Sequence, residues 1–180
     1  MANRDTPFGF RATGVMCGLQ GFETGTASAT AVFRGDLITA LTTGLVHASA
    51  AGDTALLGSV AGSSTASYSQ KALVAASTAQ QVLAHWDPDQ MYIAQGDGSS
   101  AQTDLFANAD HIAGAGSTVT GISAHELDIS TITTTATGGF KLIDHVIRDD
   151  NLTTGTGSDN PEYKCQLNTG LALLKLITGL

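Results

Sequence analysis

The feature that most constrains this chain is the rhythm of its turns. Short stretches of alternating apolar and polar residues are cut about every eight to twelve residues by Gly, Thr, Asp and Pro clusters. Residues 27–33 (Ala-Ser-Ala-Thr-Ala-Val-Phe) alternate in this way and end at an Arg34-Gly35-Asp36 turn. Residues 37–41 and 44–49 follow as strands, separated by Thr42-Thr43-Gly44, and Ala50-Ala51-Gly52-Asp53-Thr54 turns the chain into residues 55–61. Stretches this short bury nothing alone, so they must pair. The pattern predicts a mainly β protein, an antiparallel barrel or sandwich.

Composition agrees. Charged residues make up 13% of the 180, about half the usual share, and Ala, Gly, Ser and Thr take their place. That mixture suits tight turns and small-residue packing and argues against a coiled coil. The length fits one domain.

Further along, residues 14–25 are glycine-rich and read as irregular, and 62–70 as a low-complexity Ser/Thr/Ala loop. Residues 72–86 show helical spacing at Ala72, Ala75, Ala76, Ala79, Val82, Leu83 and Trp86. The strong turn at Asp87-Pro88-Asp89-Gln90 instead favours a hairpin of 81–86 with 91–95. After a loop at 96–100, Thr103 reads as the cap of one short helix with Leu105, Phe106, Ala109 and Ile112 on one side. A glycine-rich link spans 114–121. Residues 123–130 and 139–148 read as strands, the second apolar on both faces and therefore central. Residues 149–161 form a polar loop, and in 163–169 Tyr163, Cys165 and Leu167 alternate inward. The last ten residues, 171–180, are apolar and suit a short helix. A tail like that, with little core left to cover, points to packing between subunits.

The start of the chain reads differently. Met1 to Arg11 is polar at first, carries Pro7, and ends in Phe8-Gly9-Phe10. It lacks the apolar run of a secretory signal, and Pro7 with Gly9 opposes a helix. This predicts an extended N-terminal arm over residues 1–14, followed by a single β-rich domain over 15–180. In an extended chain Phe8 and Phe10 point to one side. They could then anchor in a neighbour's pocket, outside any core of their own domain. The same residues also read as a frayed end or a first edge strand.

Catalytic and metal patterns are weak. None of the five histidines, His47, His85, His111, His125 and His145, is spaced as a metal pair, and each reads as a surface or loop residue. Asp87, Asp89 and Asp97 lack a calcium-loop frame. Gly114-Ala115-Gly116 lacks the rest of a dinucleotide fingerprint, and no Gly-x-Ser-x-Gly elbow occurs. No enzyme activity, cofactor or metal is expected. A net charge of −8 disfavours a nucleic-acid backbone as partner, and no apolar run approaches a membrane span. Cys17 and Cys165 are expected to be reduced and buried.

Several stretches, in order, resemble the capsid decoration (cement or stabilisation) proteins of tailed bacteriophages. The arm Asn3-Arg4-Asp5-Thr6-Pro7-Phe8-Gly9-Phe10-Arg11 with Gly14 resembles their opening, with Ala12 where the family often has proline. Asp87-Pro88-Asp89 with Gln95 resembles their mid-chain hairpin. Asn108-Ala109-Asp110, Gly114 to Thr118, Thr120-Gly121 with Ser123, and Glu126-Leu127-Asp128 resemble their central signature. Phe140-Lys141-Leu142, Arg148-Asp149 with Asn151, and Gln166-Leu167-Asn168 resemble their closing strands. The resemblance implies a β-rich homotrimer on the outer capsid surface, assembled in the host cytoplasm and bridging major capsid protein subunits. Arg4, Pro7, Phe8, Phe10 and Arg11 are then the expected partner contacts. Two other readings remain open: a head-fibre or tail component, and a carbohydrate-binding β module using Trp86 and Tyr92.

Overall fold

The computed structural model describes residues 4–15, 18–26, 28–53, 55–63, 73–135, 137–146 and 158–168. Its strands are β1 (Arg11–Thr13), β2 (Gln20–Glu23), β3 (Val32–Phe33), β4 (Leu37–Ala40), β5 (Val46–Ala48), β6 (Leu56–Ser63), β7 (Leu73–Val74) and β8 (Gln81–His85). They continue as β9 (Met91–Gln95), β10 (Ser99–Ser100), β11 (Asn108–Ile112), β12 (Glu126–Thr133), β13 (Phe140–His145), β14 (Ser158–Asp159) and β15 (Glu162–Leu167). Two antiparallel sheets carry the fold, one ordered β1-β9-β15-β13-β11-β12 and the other β2-β8-β6-β4-β5. Two ribbons, β3–β7 and β10–β14, complete it. The fold is the mainly β, barrel- or sandwich-like one expected.

The larger sheet curls toward a barrel. Gly96, just past β9, bridges Leu127 of β12. Asp97 donates its N–H to the Leu127 carbonyl at 3.0 Å, and its carboxylate accepts the Ile129 N–H at 2.8 Å. The outer edge of β12 is thereby covered.

Side-chain alternation explains where the core sits. On β4, Leu37 faces one hydrophobic cluster and Ile38 the other, and Leu56 and Leu57 divide in the same way on β6. The first cluster lies against the six-stranded sheet with Phe10, Tyr92, Phe140, Tyr163 and Cys165. The second lies on the opposite face of the smaller sheet, where Val32 and Val74 of the β3–β7 ribbon join it. The smaller sheet is therefore buried on both faces at its centre, which is why β6 opens with five buried residues.

Several expectations hold. Tyr163, Cys165 and Leu167 all face inward, β13 lies inside its sheet, and Cys165 is a free, buried thiol. Cys17, residues 64–70 of the low-complexity loop and the apolar tail 171–180 lie outside the described residues.

Others are corrected. Residues 81–86 and 91–95 do not form a hairpin. β8 pairs with β2 and β6, β9 with β1 and β15, and the Asp87–Gln90 turn carries the chain from one sheet to the other. Both strands have two edges to satisfy, and distant strands of matching apolar pattern take all four. The helix after Thr103 is only a 3-10 turn, Gln102–Asp104. Phe106 then adopts φ 69°, and residues 108–112 join β13 and β12, burying Ala109 and His111 at period two. Residues 20–23 form β2 rather than an irregular link. Of the strand expected over 27–33, the described residues pair as a strand only at Val32–Phe33, and Ser99–Ser100 pair with Ser158–Asp159 where two loops were expected. β12 begins at Glu126 and runs on to Thr133.

Candidate functional site

The arm does not stand off the domain. Gln95, 3% exposed, clamps its start: the side-chain oxygen accepts the Thr6 N–H at 3.0 Å, and the amide donates to the Arg4 carbonyl at 2.8 Å. Phe10 donates its N–H to the Gly35 carbonyl at 2.8 Å. Arg11, Ala12 and Thr13 pair with Ile93, Tyr92 and Met91 as an edge strand, and Gln90 donates to the Thr13 carbonyl at 2.8 Å. Two glutamines, one at each end of β9, thus hold the arm at Arg4–Thr6 and at Thr13.

Gly9 decides what the arm presents. Its φ is +76°, a left-handed conformation that undoes the simple alternation of an extended chain. A Cβ there would stand 2.5 Å from the Gly35 carbonyl oxygen and 2.6 Å from Ser123 Cβ. Phe8 and Phe10 therefore do not share a side. Phe10 is 1% exposed, stacked on Phe140 at 4.5 Å and edge-on to Tyr92 and His111. It belongs to the domain's own core, so it is not presented to a partner as expected.

Phe8 is half-buried, with the Arg11 guanidinium over its ring at 3.9 Å. The pair forms a ridge between two cavities. One, of about 410 Å³, is walled by Phe8, Arg11, Arg34, Ser59, Val60 and His85 among others. The other, of about 530 Å³, is walled by Pro7, Phe8, Arg11, Ser117, Thr120 and Ile122 among others. Of the five expected contact residues, Pro7, Phe8 and Arg11 converge here. Arg4 is exposed but lines neither cavity, and Phe10 closes the inner wall of the first. Arg34 and His85 are additions that sequence reasoning placed in a turn and on the surface. No sequence signal marked them, since it is the fold that brings the turn at Gly35 to the arm.

Behind the groove lies a buried polar cluster. Asp36 accepts the Phe33 N–H at 2.8 Å and sits 3.5 Å from His125 Nε2, whose Nδ1 accepts the Leu37 N–H at 3.3 Å. His111 stacks on His125 and bonds Ser49 at 2.9 Å. Burial lifts the Asp36 carboxyl to about 6 and, with His111 alongside, holds His125 down to about 3. These histidines are neutral structural links at pH 7, and Arg34-Gly35-Asp36 is a turn whose aspartate is buried. The surface reading fails for His85, His111, His125 and His145, each at most 7% exposed. A histidine can serve as a hydrogen-bonding core residue, which spacing alone does not reveal. A further cavity of about 610 Å³ reaches Asp36 and His125 past Ala48, Ala113 and Gly116.

At the far end of the arm, Glu126 is lifted to about 7 by burial and by the charges of Asp5, Asp97 and Asp128. Tyr92 is fully buried, so it cannot serve a glycan site, whereas Trp86 is partly exposed. Phe106, expected on a buried helix face, is 71% exposed. Among the described residues no helix is long and apolar enough to cross a membrane, and no acidic, His or Cys group is placed to hold a metal ion. Comparison with family models, curated proteins and solved structures returns no match.

Proposed function

We propose that this chain is a virion structural protein, an outer-capsid decoration protein that binds and bridges major capsid protein subunits as a homotrimer. The observation that carries the reading is the ordered run of family-like motifs from the arm to the closing strands. The geometry of the groove is in keeping with it: an aromatic–guanidinium ridge between two open cavities suits recognition of a protein surface. The binding surface in this reading is the arm ridge, with Phe8, Arg11 and Pro7 as contacts and Arg34 beside them, while Phe10 fixes the arm from inside. A modest contact per subunit becomes effective through trimeric avidity and bridging.

The test is co-sedimentation of the purified protein with undecorated heads of the phage that encodes it, alongside analytical ultracentrifugation. Saturable binding to heads and a trimer, free or on the particle, are expected. Absence of head binding, with only monomer found, overturns the reading.

A further inference from the structure

Among the described residues, neither cavity beside Phe8 has an acidic side chain in its wall, although the chain holds 16 Asp and Glu against 8 Lys and Arg. Against that balance, two guanidiniums, Arg11 and Arg34, stand on one cavity of about 410 Å³. Arg34 is exposed and makes no ion pair with a described residue, while Arg11 is held in place over Phe8. His85 lines the same cavity at 7% exposure, and its Nδ1 is buried with no hydrogen-bond partner. Arg34 is held at the cavity by its backbone, through Gly121 and Ser123. The cation field is therefore built into the fold rather than carried on a loose end.

The geometry points to a trough for an extended acidic segment of a partner protein, with a carboxylate held by Arg11 and Arg34 in the cavity that His85 lines, and an apolar side chain against Phe8. Guanidinium forks match carboxylates in shape as well as charge, and a neutral imidazole can turn an N–H toward the same oxygen. The two cavities share Phe8, Arg11 and Ile122. The trough thus continues past the ridge and exceeds what one small carboxylate fills. The inference rests on the decoration reading only for the identity of the partner, which would then offer an acidic strand or loop of the capsid subunit.

Fluorescence anisotropy tests it, using a dye-labelled peptide that alternates Glu with Leu, its Gln counterpart, and free succinate as competitor. The Glu peptide should bind the full chain and weaken with salt, and the Gln peptide should not bind. Arg34→Gln should weaken binding roughly tenfold or more. Lys141→Gln, which removes an exposed cation on β13 outside the trough, should leave it unchanged. Equal binding of both peptides, or equal losses in the two variants, overturns the trough. Succinate competing as well as unlabelled Glu peptide overturns the extended segment. Heads that bind Arg34→Gln as tightly as the unaltered chain would sink the trough while leaving decoration intact. Peptide binding by a protein that ignores heads would do the reverse.

Discussion

Phe8 and Phe10 flank a single glycine, yet one is surface and the other is core. Phe10 touches Phe140, Tyr92 and His111 in the main cluster, whereas Phe8 carries a guanidinium and borders two cavities. The difference teaches that period-two logic fails at one left-handed residue. Gly9 turns the chain so that the arm is anchored by one aromatic and displays the other. Anchoring and display are thus separable by mutation, and four changes probe the arm, from the largest expected effect on stability to the smallest.

Phe10→Ala should cost about 3–5 kcal/mol of unfolding free energy, the usual range for a buried phenylalanine, read by denaturant titration. A loss under about 1 kcal/mol would mean the arm is not core, since burying such a ring contributes roughly 1.5–3 kcal/mol by itself. Gly9→Ala comes next. The new Cβ meets the Gly35 carbonyl oxygen at 2.5 Å, and the residue must hold a left-handed backbone, so the expected cost is on the order of 1–3 kcal/mol. It should also move Phe8, so partner binding falls with stability. An unchanged midpoint would show that the turn at Gly9 is not needed.

The third change probes the charged end of the arm, where Asp5 approaches Glu126. Burial, with the charges of Asp5, Asp97 and Asp128, raises the folded Glu126 carboxyl from its ordinary 4.5 to about 7. A raised carboxyl binds its proton more tightly when folded, so stability declines as pH rises from about 4.5 through 7. Glu126→Gln should therefore stabilise at pH 8 by on the order of 1 kcal/mol after screening, and change little at pH 4. Equal effects at both pH values would remove the electrostatic account. The buried histidines run the other way. Burial lowers His85, His111, His125 and His145, so the stability that their neutral forms contribute is present above about 6.5 and lost as pH falls.

What could be read from the sequence follows from which signals are local. Turn spacing gave the β class, and alternation placed Tyr163, Cys165 and Leu167 inward, because both depend on a residue and its near neighbours. Strand partners do not. Asp87-Pro88-Asp89 looks like a hairpin turn until one knows that β2, β6, β1 and β15 already hold the edges of β8 and β9. Helical spacing at Leu105 and Ile112 was outweighed by pairing with β12 and β13. At the candidate site, Pro7, Phe8 and Arg11 were named from the sequence as arm contacts, and the fold gathers them at one groove. Arg34 and His85 were not, because only the fold brings a turn at residue 35 and the end of β8 to the arm. Phe10 was misplaced for one reason, the backbone sign at Gly9.

Phe8→Ala is the smallest change to the fold and the sharpest to the comparison. Phe8 is only half-buried, and its cation–π contact with Arg11 is worth about 0.5–1 kcal/mol at an exposed site. Gln95, the Gly35 carbonyl and the β1–β9 pairing hold the arm without it. Unfolding free energy should therefore fall by about 1 kcal/mol or less, far below the loss for Phe10→Ala. Binding should respond in the opposite proportion. Removing the ring takes away an apolar wall that, with Ile122, is common to both cavities, and the platform under the Arg11 guanidinium, so each arm loses packing and an oriented cation together. If three arms engage one particle, even a tenfold loss per arm compounds steeply, and head binding should fall far more than stability does. The paired measurement is a melt and a head-binding isotherm on each single variant. Phe8→Ala should be folded and binding-deficient; Phe10→Ala should be unstable, with any binding loss following its unfolded fraction. Should Phe8→Ala bind heads at full strength while keeping its fold, the displayed aromatic is not the contact, and the partner surface must be sought elsewhere, with exposed Phe106 and Val119 the first places to look.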